Sequence, residues 1–201
     1  AAAMAAWKIN TVRIPLNQDC WLGDDGLPFT DLTRKGFGVT LTSIGYRVAV
    51  IEFVEALNDQ GIVAVPDLHW SSPDGILSDG LRVMADNRSD DFWTSVAASF
   101  KTHPSVMFDL FNEPHSRWSD AGGRWAFQLS WECWKSGGCQ GPVENDKTPL
   151  PTSAGSTFTT MGMKELVAAV RVTGAKQPII LGGRDYANDL GGWLSHRPDD
   201  D

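Results

Sequence analysis

Positive charge and long apolar runs are both scarce in this sequence, and each shortage excludes a class of protein. The 201 residues include 17 Lys and Arg against 25 Asp and Glu, which gives a formal net charge of −8. Binding of nucleic acid requires clustered Lys and Arg to neutralise phosphates, so no nucleic-acid partner is expected. No apolar run approaches the ~20 residues that span a bilayer, so no membrane partner is expected either.

The first residues also lack the features of a secretory leader. Residues 1–7 carry no basic segment and are too few for a signal peptide. A mature or truncated form would lack a leader in any case, so its absence does not decide the localisation. What the chain does have is 42% hydrophobic residues, which is enough for a sizeable core in one domain.

Cysteine is rare as well, with three in the chain. Cys133 and Cys139 flank a loop whose paired glycines let the chain turn back, so their short spacing favours a local disulfide over two free thiols. A disulfide indicates an oxidising compartment, and the sequence therefore predicts an extracellular, secreted protein. Cys20 is left over and is interpreted as a small buried side chain rather than a reactive thiol.

Tryptophan, by contrast, is abundant, with nine in the chain. Trp7 and Trp93 are interpreted as core residues. Six others fall in loop-like segments beside Gly and Pro: Trp21, Trp70, Trp118, Trp131, Trp134 and Trp193. Exposed indoles in loops stack on the apolar faces of sugar rings, as they do on other flat ligands.

Apolar segments alternate between strand and helix patterns along the chain. Four short apolar runs predict strands at 9–14, 62–69, 106–113 and 178–182. Helix-like spacing predicts helices at 46–57, 89–100 and 157–174. A loop rich in Gly, Asp and Pro follows the first strand to about residue 38, and a long irregular segment covers 115–156. This alternation predicts a parallel sheet with helical crossovers, that is, an α/β fold.

The run 108–114 ends a predicted strand with an amide, a carboxylate and a proline. Pro114 lacks a backbone donor and stops the strand, so Asn112 and Glu113 are expected at its carboxyl end. In a (β/α) barrel the catalytic groups lie at that end of the strands. A carboxylate held there suits general acid/base chemistry, and the neighbouring amide suits a substrate hydroxyl.

The other predicted strands also end in polar residues, and each of these has a structural alternative. Arg13 ends the first strand, where it either serves the site or only forms an ion pair with Asp67 or Asp109. Asp67 and His69 share a face of the second strand, and with Trp70 beside them they favour a functional His69 over a buried core histidine. Asp109 lies mid-strand and is interpreted as a buried partner rather than a catalyst.

Four motifs in order carry a resemblance to a known family. They are Asn-Thr-Val-Arg-Ile-Pro at 10–15, Asp-Leu-His-Trp at 67–70, Asn-Glu-Pro at 112–114 and Gly-Gly at 182–183. With them the chain resembles glycoside hydrolase family 5, the cellulase family, in the clan of retaining barrel glycosidases. The resemblance implies a partial (β/α)8 TIM barrel with about half of the strands present.

The resemblance also implies roles for the matching residues. Glu113 would protonate the leaving glycosidic oxygen and then activate water, and Asn112 would bind the sugar 2-hydroxyl. Arg13 would orient and electrostatically support the nucleophile, and His69 would contact substrate hydroxyls or the acid/base network. The candidates for stacking on sugar rings are Trp70, Trp131 and Trp134.

One essential group of the family has no counterpart here. A retaining glycosidase needs a second carboxylate about 5–5.5 Å from the first as nucleophile. In the family it is a glutamate on the seventh strand, and no other glutamate of this chain fits. Residues 1–201 are therefore expected to be a catalytic-domain fragment that resembles barrel strands two to five, without the N-terminal strand and strands six to eight. The chain would then be a fragment, a partial gene product or one half of a barrel that another chain completes. The isolated polypeptide is expected to have no glycosidase activity.

Three functions compete at this point. The leading one is hydrolysis of a β-linked polysaccharide, most readily a β-glucan, with mannan or another β-glycan as a close variant. The second is a non-catalytic carbohydrate-binding half-barrel that uses the tryptophans without the nucleophile. The third is a metal-dependent hydrolase with Asp67, His69, Glu113 and His115 as ligands. It is disfavoured because these four lack a close ligand pair and Asn112 would have no role, so no metal or cofactor is expected.

Overall fold

The computed structural model describes residues 1–23, 43–76, 79–120, 122–148, 150 and 155–200. Most of the predicted loop between the first strand and residue 38 lies outside these ranges. The strands are β1 (Thr11–Asn17), β2 (Val63–Trp70), β3 (Phe108–Asp109), β4 (Arg117–Ser119), β5 (Arg124–Phe127), β6 (Gln140–Pro142), β7 (Thr157–Thr159) and β8 (Ile179–Ile180).

The helices of the described ranges are α1 (Ala2–Ala6), α2 (Gln18–Leu22), α3 (Ser43–Asn58), α4 (Ser89–Phe100), α5 (Trp131–Ser136), α6 (Met163–Arg171) and α7 (Trp193–His196), with a 3-10 turn at Pro73–Gly75. The predicted helices over 46–57 and 89–100 are confirmed as α3 and α4. None of the helices in the described ranges combines the length and the apolar character needed to cross a membrane.

Over the described residues, the main sheet has four parallel strands in the order β1-β2-β3-β8. Helix α3 connects β1 to β2, α4 connects β2 to β3, and α6 lies between β3 and β8. The predicted parallel sheet with helical crossovers is therefore confirmed. All carboxyl ends of parallel strands lie at one edge of the sheet, so the polar residues that end them come together there.

Strands β3 and β8 are shorter than predicted, although backbone bonding continues beyond β3. The amide of Leu110 donates to the carbonyl of Ile180 over 3.1 Å, and the amide of Asn112 donates to that of Leu68 over 3.0 Å. The chain then turns away at Glu113, whose φ is 53°. The local backbone at Glu113 therefore ends the sheet one residue before Pro114.

Aromatic side chains fill the core between the sheet and its helices. Trp93 is fully buried, and its Nε1 donates to the carbonyl of Leu110 over 2.9 Å. Trp21 is also fully buried in α2, where its Nε1 donates to Ser95 Oγ over 3.0 Å, so its assignment to a loop was wrong. Trp7 is 78% exposed on the turn that follows α1, and its assignment to the core was wrong too. Cys20 is buried and is not part of the disulfide, as predicted.

The segment predicted to be irregular, 115–156, contains regular elements. Strands β4 and β5 form an antiparallel hairpin, α5 follows, and β6 pairs with β7. The Gly pair at 122–123 permits the first hairpin, because Gly123 has a φ of 58°. Because Thr157–Thr159 is the strand β7, the predicted helix begins only at Met163, where Glu165 accepts a hydrogen bond from the amide of Gly162.

Candidate active site

Arg13 lies within β1 rather than at its end as predicted, because the strand continues through Pro15 to Asn17. Its side chain connects three polar side chains near the carboxyl edge of the sheet. Its Nε donates to Asp109 Oδ2 over 2.8 Å, and its Nη2 donates to Asn112 Oδ1 over 3.0 Å. The same Nη2 lies 2.9 Å from Asp67 Oδ1. Because β2 is the neighbour of β1 and Asp67 is aligned with Asp109, one guanidinium reaches both carboxylates. The structural ion pair considered for Arg13 is present, and it includes both aspartates and the amide.

His69 is held by the same buried carboxylate. Its Nδ1 lies 2.9 Å from Asp67 Oδ2, and since a carboxylate only accepts, Nδ1 donates the proton. The Asp67 side chain is fully buried, whereas the His69 side chain is 30% exposed. Asp67 thus fixes the orientation of an imidazole whose other nitrogen is left for contacts outside this pair. The two side chains meet because residues two apart on a strand point to the same face.

Burial dominates the electrostatics of this group. It raises the pKa of Asp109 to about 6, with a further upward contribution from the charge of Asp67 and opposition from Arg13. Burial also raises the pKa of Asp67, against its hydrogen bond from His69 and the charge of Arg13. The charge of Glu113 makes a further, smaller upward contribution to the pKa of Asp67.

Glu113 is presented by an unusual backbone conformation. A φ of 53° is in the left-handed region, which non-glycine residues rarely adopt and which costs about 1–3 kcal/mol. His115 helps to hold this turn, because its Nδ1 donates to the carbonyl oxygen of Glu113 over 2.8 Å. Burial lowers the pKa of His115, which keeps the imidazole neutral. The turn leaves Glu113 exposed, next to the buried Asn112.

Two of the three tryptophans predicted to stack on sugars have other partners. Trp134 is fully buried, with its Nε1 donating to the carbonyl of Gly182 over 2.9 Å, so that prediction was wrong. Trp131 is partly buried; the Arg184 guanidinium lies 4.7 Å from the centre of its ring, and the imidazole of His196 stacks on it. Both indoles lie on one face of α5, which turns them toward the segment after β8.

Trp70 remains a candidate for sugar contact. It ends β2 beside His69, with 6.1 Å between the ring centres, and it is only partly buried. The ammonium of Lys147 lies 4.5 Å from the centre of its ring. The indole therefore lies next to the polar group at the edge of the sheet.

The structure joins Cys133 and Cys139 in a disulfide, with Cα atoms 6.0 Å apart. The two cysteines flank the end of α5, where Gly137 and Gly138 have φ values of 64° and 78°. These left-handed residues return the chain toward the helix.

The loop after β8 was predicted only as the end of a strand. Arg184 does not join the group around Arg13; its Nη2 donates to Asp189 Oδ2 over 2.6 Å and its Nη1 to the carbonyl of Leu129 over 2.8 Å. The loop instead brings Tyr186 to the edge, with its ring stacked on His115 at 4.5 Å. No spacing in the sequence indicates this contact, because it joins loops that follow different strands.

Metal ligation was also considered for this edge. Among the residues that the structure describes, no group of three or more His, Cys, Asp and Glu side chains is placed to hold a metal ion. His115 uses Nδ1 on a backbone carbonyl, and Asp67 is occupied by Arg13 and His69. The side chains at this edge are thus bound to one another in a pattern that suits proton transfer and hydroxyl binding.

A family comparison agrees with this arrangement. The sequence profile described as Cellulase (glycosyl hydrolase family 5) matches residues 1–201. The chain belongs to this family. Membership implies a (β/α)8 barrel, of which the parallel sheet and helices described here are a part, and it places the chain among the glycoside hydrolases. No curated protein matches the sequence significantly.

Solved structures of family 5 enzymes have a similar fold. XacCel5A in complex with cellopentaose matches with a TM-score of 0.55 and 18% identity, over 98% of this chain and 49% of that chain. The endoglucanase Cel5A of Pseudomonas stutzeri matches with a TM-score of 0.54 and 16% identity, over 98% of this chain and 47% of that chain. Cel5A (EG2) of Hypocrea jecorina (Trichoderma reesei) matches with a TM-score of 0.51 and 18% identity, over 94% of this chain and 42% of that chain. The family 5 chain thus spans about half the length of these structures or less.

Proposed function

We propose that this family 5 chain supplies the acid/base side of the active site of a retaining β-glucanase. The observation that carries the proposal is the group in which Arg13 binds Asp67, Asp109 and Asn112, the residue that precedes Glu113. The carboxylates of Asp67 and Asp109 are costly to bury without a counter-charge, and Arg13 pairs with both, whereas Glu113 is exposed. In this proposal the second carboxylate belongs to a part of the parent protein beyond residues 1–201.

In this proposal each residue has the role that the family resemblance implies, and the hydrogen bonds of Asn112 and His69 are consistent with theirs. Glu113 protonates the leaving glycosidic oxygen and later deprotonates the attacking water. The Oδ1 of Asn112 accepts from Arg13, so its amide nitrogen is left to donate to a sugar hydroxyl. His69, oriented by Asp67, contacts substrate hydroxyls. Arg13 brings a positive charge to the side of the site where the nucleophile acts.

The substrate proposed is a β-glucan. XacCel5A was solved with cellopentaose. The Pseudomonas stutzeri structure is of an endoglucanase, and the Hypocrea jecorina structure is of an enzyme designated EG2. Trp70 beside His69 offers an apolar ring surface for a flat, equatorially substituted sugar. A β-mannan shares the same linkage geometry and is the variant to compare.

We expect the full-length parent to hydrolyse carboxymethylcellulose and to release products that first carry the β-anomeric configuration. Two displacements at one carbon retain configuration, whereas a single attack by water inverts it. Proton NMR of the anomeric signals in the first minutes of the reaction measures this. An initial α-product would contradict the retaining mechanism, and binding of glucan without turnover would favour a non-catalytic carbohydrate-binding protein. The isolated chain, which lacks the second carboxylate, is expected to show no turnover.

We also propose that the protein is secreted, and the pairing of Cys133 with Cys139 supports this. Alkylation under denaturing, non-reducing conditions should label one of the three cysteines, and after reduction it should label all three. Mass spectrometry of the peptides identifies the labelled residue, which is expected to be Cys20. Labelling of all three without prior reduction would contradict the disulfide.

A further inference from the structure

The turn that carries Glu113 is held from outside by two hydrogen-bond donors. The sheet itself ends one residue earlier, where the amide of Asn112 donates to the carbonyl of Leu68 over 3.0 Å. Glu113 has a φ of 53°, in the left-handed region that a residue with a side chain adopts only at a cost. Because the backbone torsions of Glu113 set the direction of its side chain, whatever fixes this turn also aims the carboxyl group.

The first donor is the side chain of His115. Its Nδ1 lies 2.8 Å from the carbonyl oxygen of Glu113, and since a carbonyl only accepts, Nδ1 carries the proton. The residue is 1% exposed, and its own amide donates to the carbonyl of Val83 over 3.1 Å. The imidazole is therefore fixed in the fold and cannot turn toward solvent.

The second donor lies in the loop that follows β8. The amide of Tyr186 donates to the carbonyl of Pro114 over 3.1 Å, so two successive carbonyls of the turn each accept a hydrogen bond. The ring of Tyr186 stacks on the imidazole of His115, with centres 4.5 Å apart and an angle of 11° between the planes. Reciprocal backbone hydrogen bonds of 3.1 and 2.9 Å between Arg184 and Asp189 close the loop. This closed loop therefore supports both the turn and the imidazole.

His115 has no direct part in the chemistry of the site. Its Nδ1 binds the carbonyl of Glu113, and an exposure of 1% leaves the ring out of reach of a polysaccharide. Strained backbone persists only where the surroundings fix it, and it is concentrated at functional sites. The interactions of His115 therefore act on the position of the neighbouring acid.

We infer that His115 is a positioning residue for Glu113, an inference that rests on the proposed function. Its Nδ1–H holds the left-handed turn in the conformation that directs the carboxyl group to the leaving glycosidic oxygen, and Tyr186 holds the imidazole in place. Without the N–H donor the turn relaxes toward commoner backbone conformations, and the carboxyl group spends less time within hydrogen-bond reach of that oxygen. The loss falls on proton transfer, so kcat decreases while KM changes little.

Two replacements of His115 separate the donor from the ring. His115→Phe keeps a flat ring against Tyr186 and removes the N–H, whereas His115→Asn keeps a side-chain N–H near the position of Nδ1 and removes the rest of the ring. In the full-length parent, His115→Phe is expected to lower kcat for cellohexaose about tenfold and to change KM less than about twofold. His115→Asn is expected to keep kcat within about threefold of the unchanged protein. His103→Phe is the matched control, since this part-exposed histidine lies between α4 and β3, and it should change neither value.

The leaving group shows whether proton donation is what is lost. Dinitrophenolate leaves without protonation, so its release in the first turnover of dinitrophenyl β-cellobioside should be as fast in His115→Phe as in the unchanged protein. An equal loss on this substrate and on cellohexaose would contradict a positioning role. Where His115→Phe does not fold, Tyr186→Leu tests the same support, because it removes only the stacked ring. That variant is expected to lower kcat for cellohexaose about threefold, and an unchanged kcat would contradict the inference.

Amide hydrogen exchange in the parent gives a second readout that needs no turnover. Exchange of the Tyr186 amide, which donates to the turn, is expected to be several-fold faster in His115→Phe than in His115→Asn or His103→Phe. Unchanged exchange would overturn the inference, and so would an unchanged kcat in a parent that hydrolyses cellohexaose; the hydrolase function depends only on turnover by that parent. Faster exchange in a parent that hydrolyses nothing would contradict the hydrolase function and would still support His115 as the residue that holds the turn.

Discussion

Replacement of Glu113 by Gln in the full-length protein is expected to slow hydrolysis of carboxymethylcellulose by about 10²–10⁴-fold. The amide has nearly the shape of the acid but cannot give a proton to the leaving oxygen. Since Glu113 is exposed on a turn held by His115, the change should not disturb packing. Reducing-end release measured at equal enzyme concentration checks the rate, and thermal unfolding checks that the fold is kept.

The choice of leaving group separates acid catalysis from a general loss of activity. Dinitrophenolate leaves without protonation, so formation of the glycosyl-enzyme from dinitrophenyl β-cellobioside should be slowed far less by Glu113→Gln. The matched control is Glu132→Gln, because Glu132 is an exposed glutamate in α5 that only accepts a hydrogen bond from Ser136. An equal loss on both substrates would show that Glu113 acts in binding or folding rather than as the acid.

The side chains at the carboxyl edge of the sheet were predictable, because rules that apply within a single strand place them there. Pro114 lacks a backbone donor, which disfavours continuation of the strand, so Asn112 and Glu113 were expected near its end. Proline alone does not decide this, because β1 continues through Pro15 and β2 through Pro66. Likewise Asp67 and His69 are two residues apart on a strand, and the period of two places them on the same face. These arguments need no knowledge of neighbouring strands, and they located four of the side chains around the candidate site.

The partners of Arg13 were not predictable, because they depend on register between strands. The sequence left Asp67 and Asp109 as alternative partners, whereas alignment of Asp67 with Asp109 lets one guanidinium bind both. Whether each tryptophan is buried or exposed depends on tertiary packing in the same way. Trp134 became a core residue because an unpredicted helix turned it inward, and Trp125 is half-exposed on an unpredicted hairpin.

Replacement of Arg13 by Ala is expected to destabilise the protein by about 1–3 kcal/mol near neutral pH, less than for a fully buried pair, because the Arg13 side chain is 41% exposed. The change removes the counter-charge from Asp67, whose side chain is fully buried, and from Asp109, whose side chain is 12% exposed. For a protein of this size the loss corresponds to a fall in Tm of roughly 5 °C. Asp200→Ala removes an ion pair with Arg171 in which the carboxylate is 40% exposed; it is the control and should cost less than about 1 kcal/mol.

The pH dependence of that loss identifies its cause. The pKa of Asp109 is raised to about 6 in the folded protein, above its ordinary value of 3.8. Between these values the folded state binds more protons than the unfolded state, so stability decreases as the pH rises through this window. Without Arg13, which lowers both carboxyl pKa values, the window extends to higher pH and the loss grows. Thermal unfolding at pH 4 and pH 7.5 should therefore show a smaller Tm deficit for Arg13→Ala at pH 4, where the Asp109 carboxyl is protonated. An equal deficit at both pH values would mean that Arg13 stabilises the edge through packing rather than through charge.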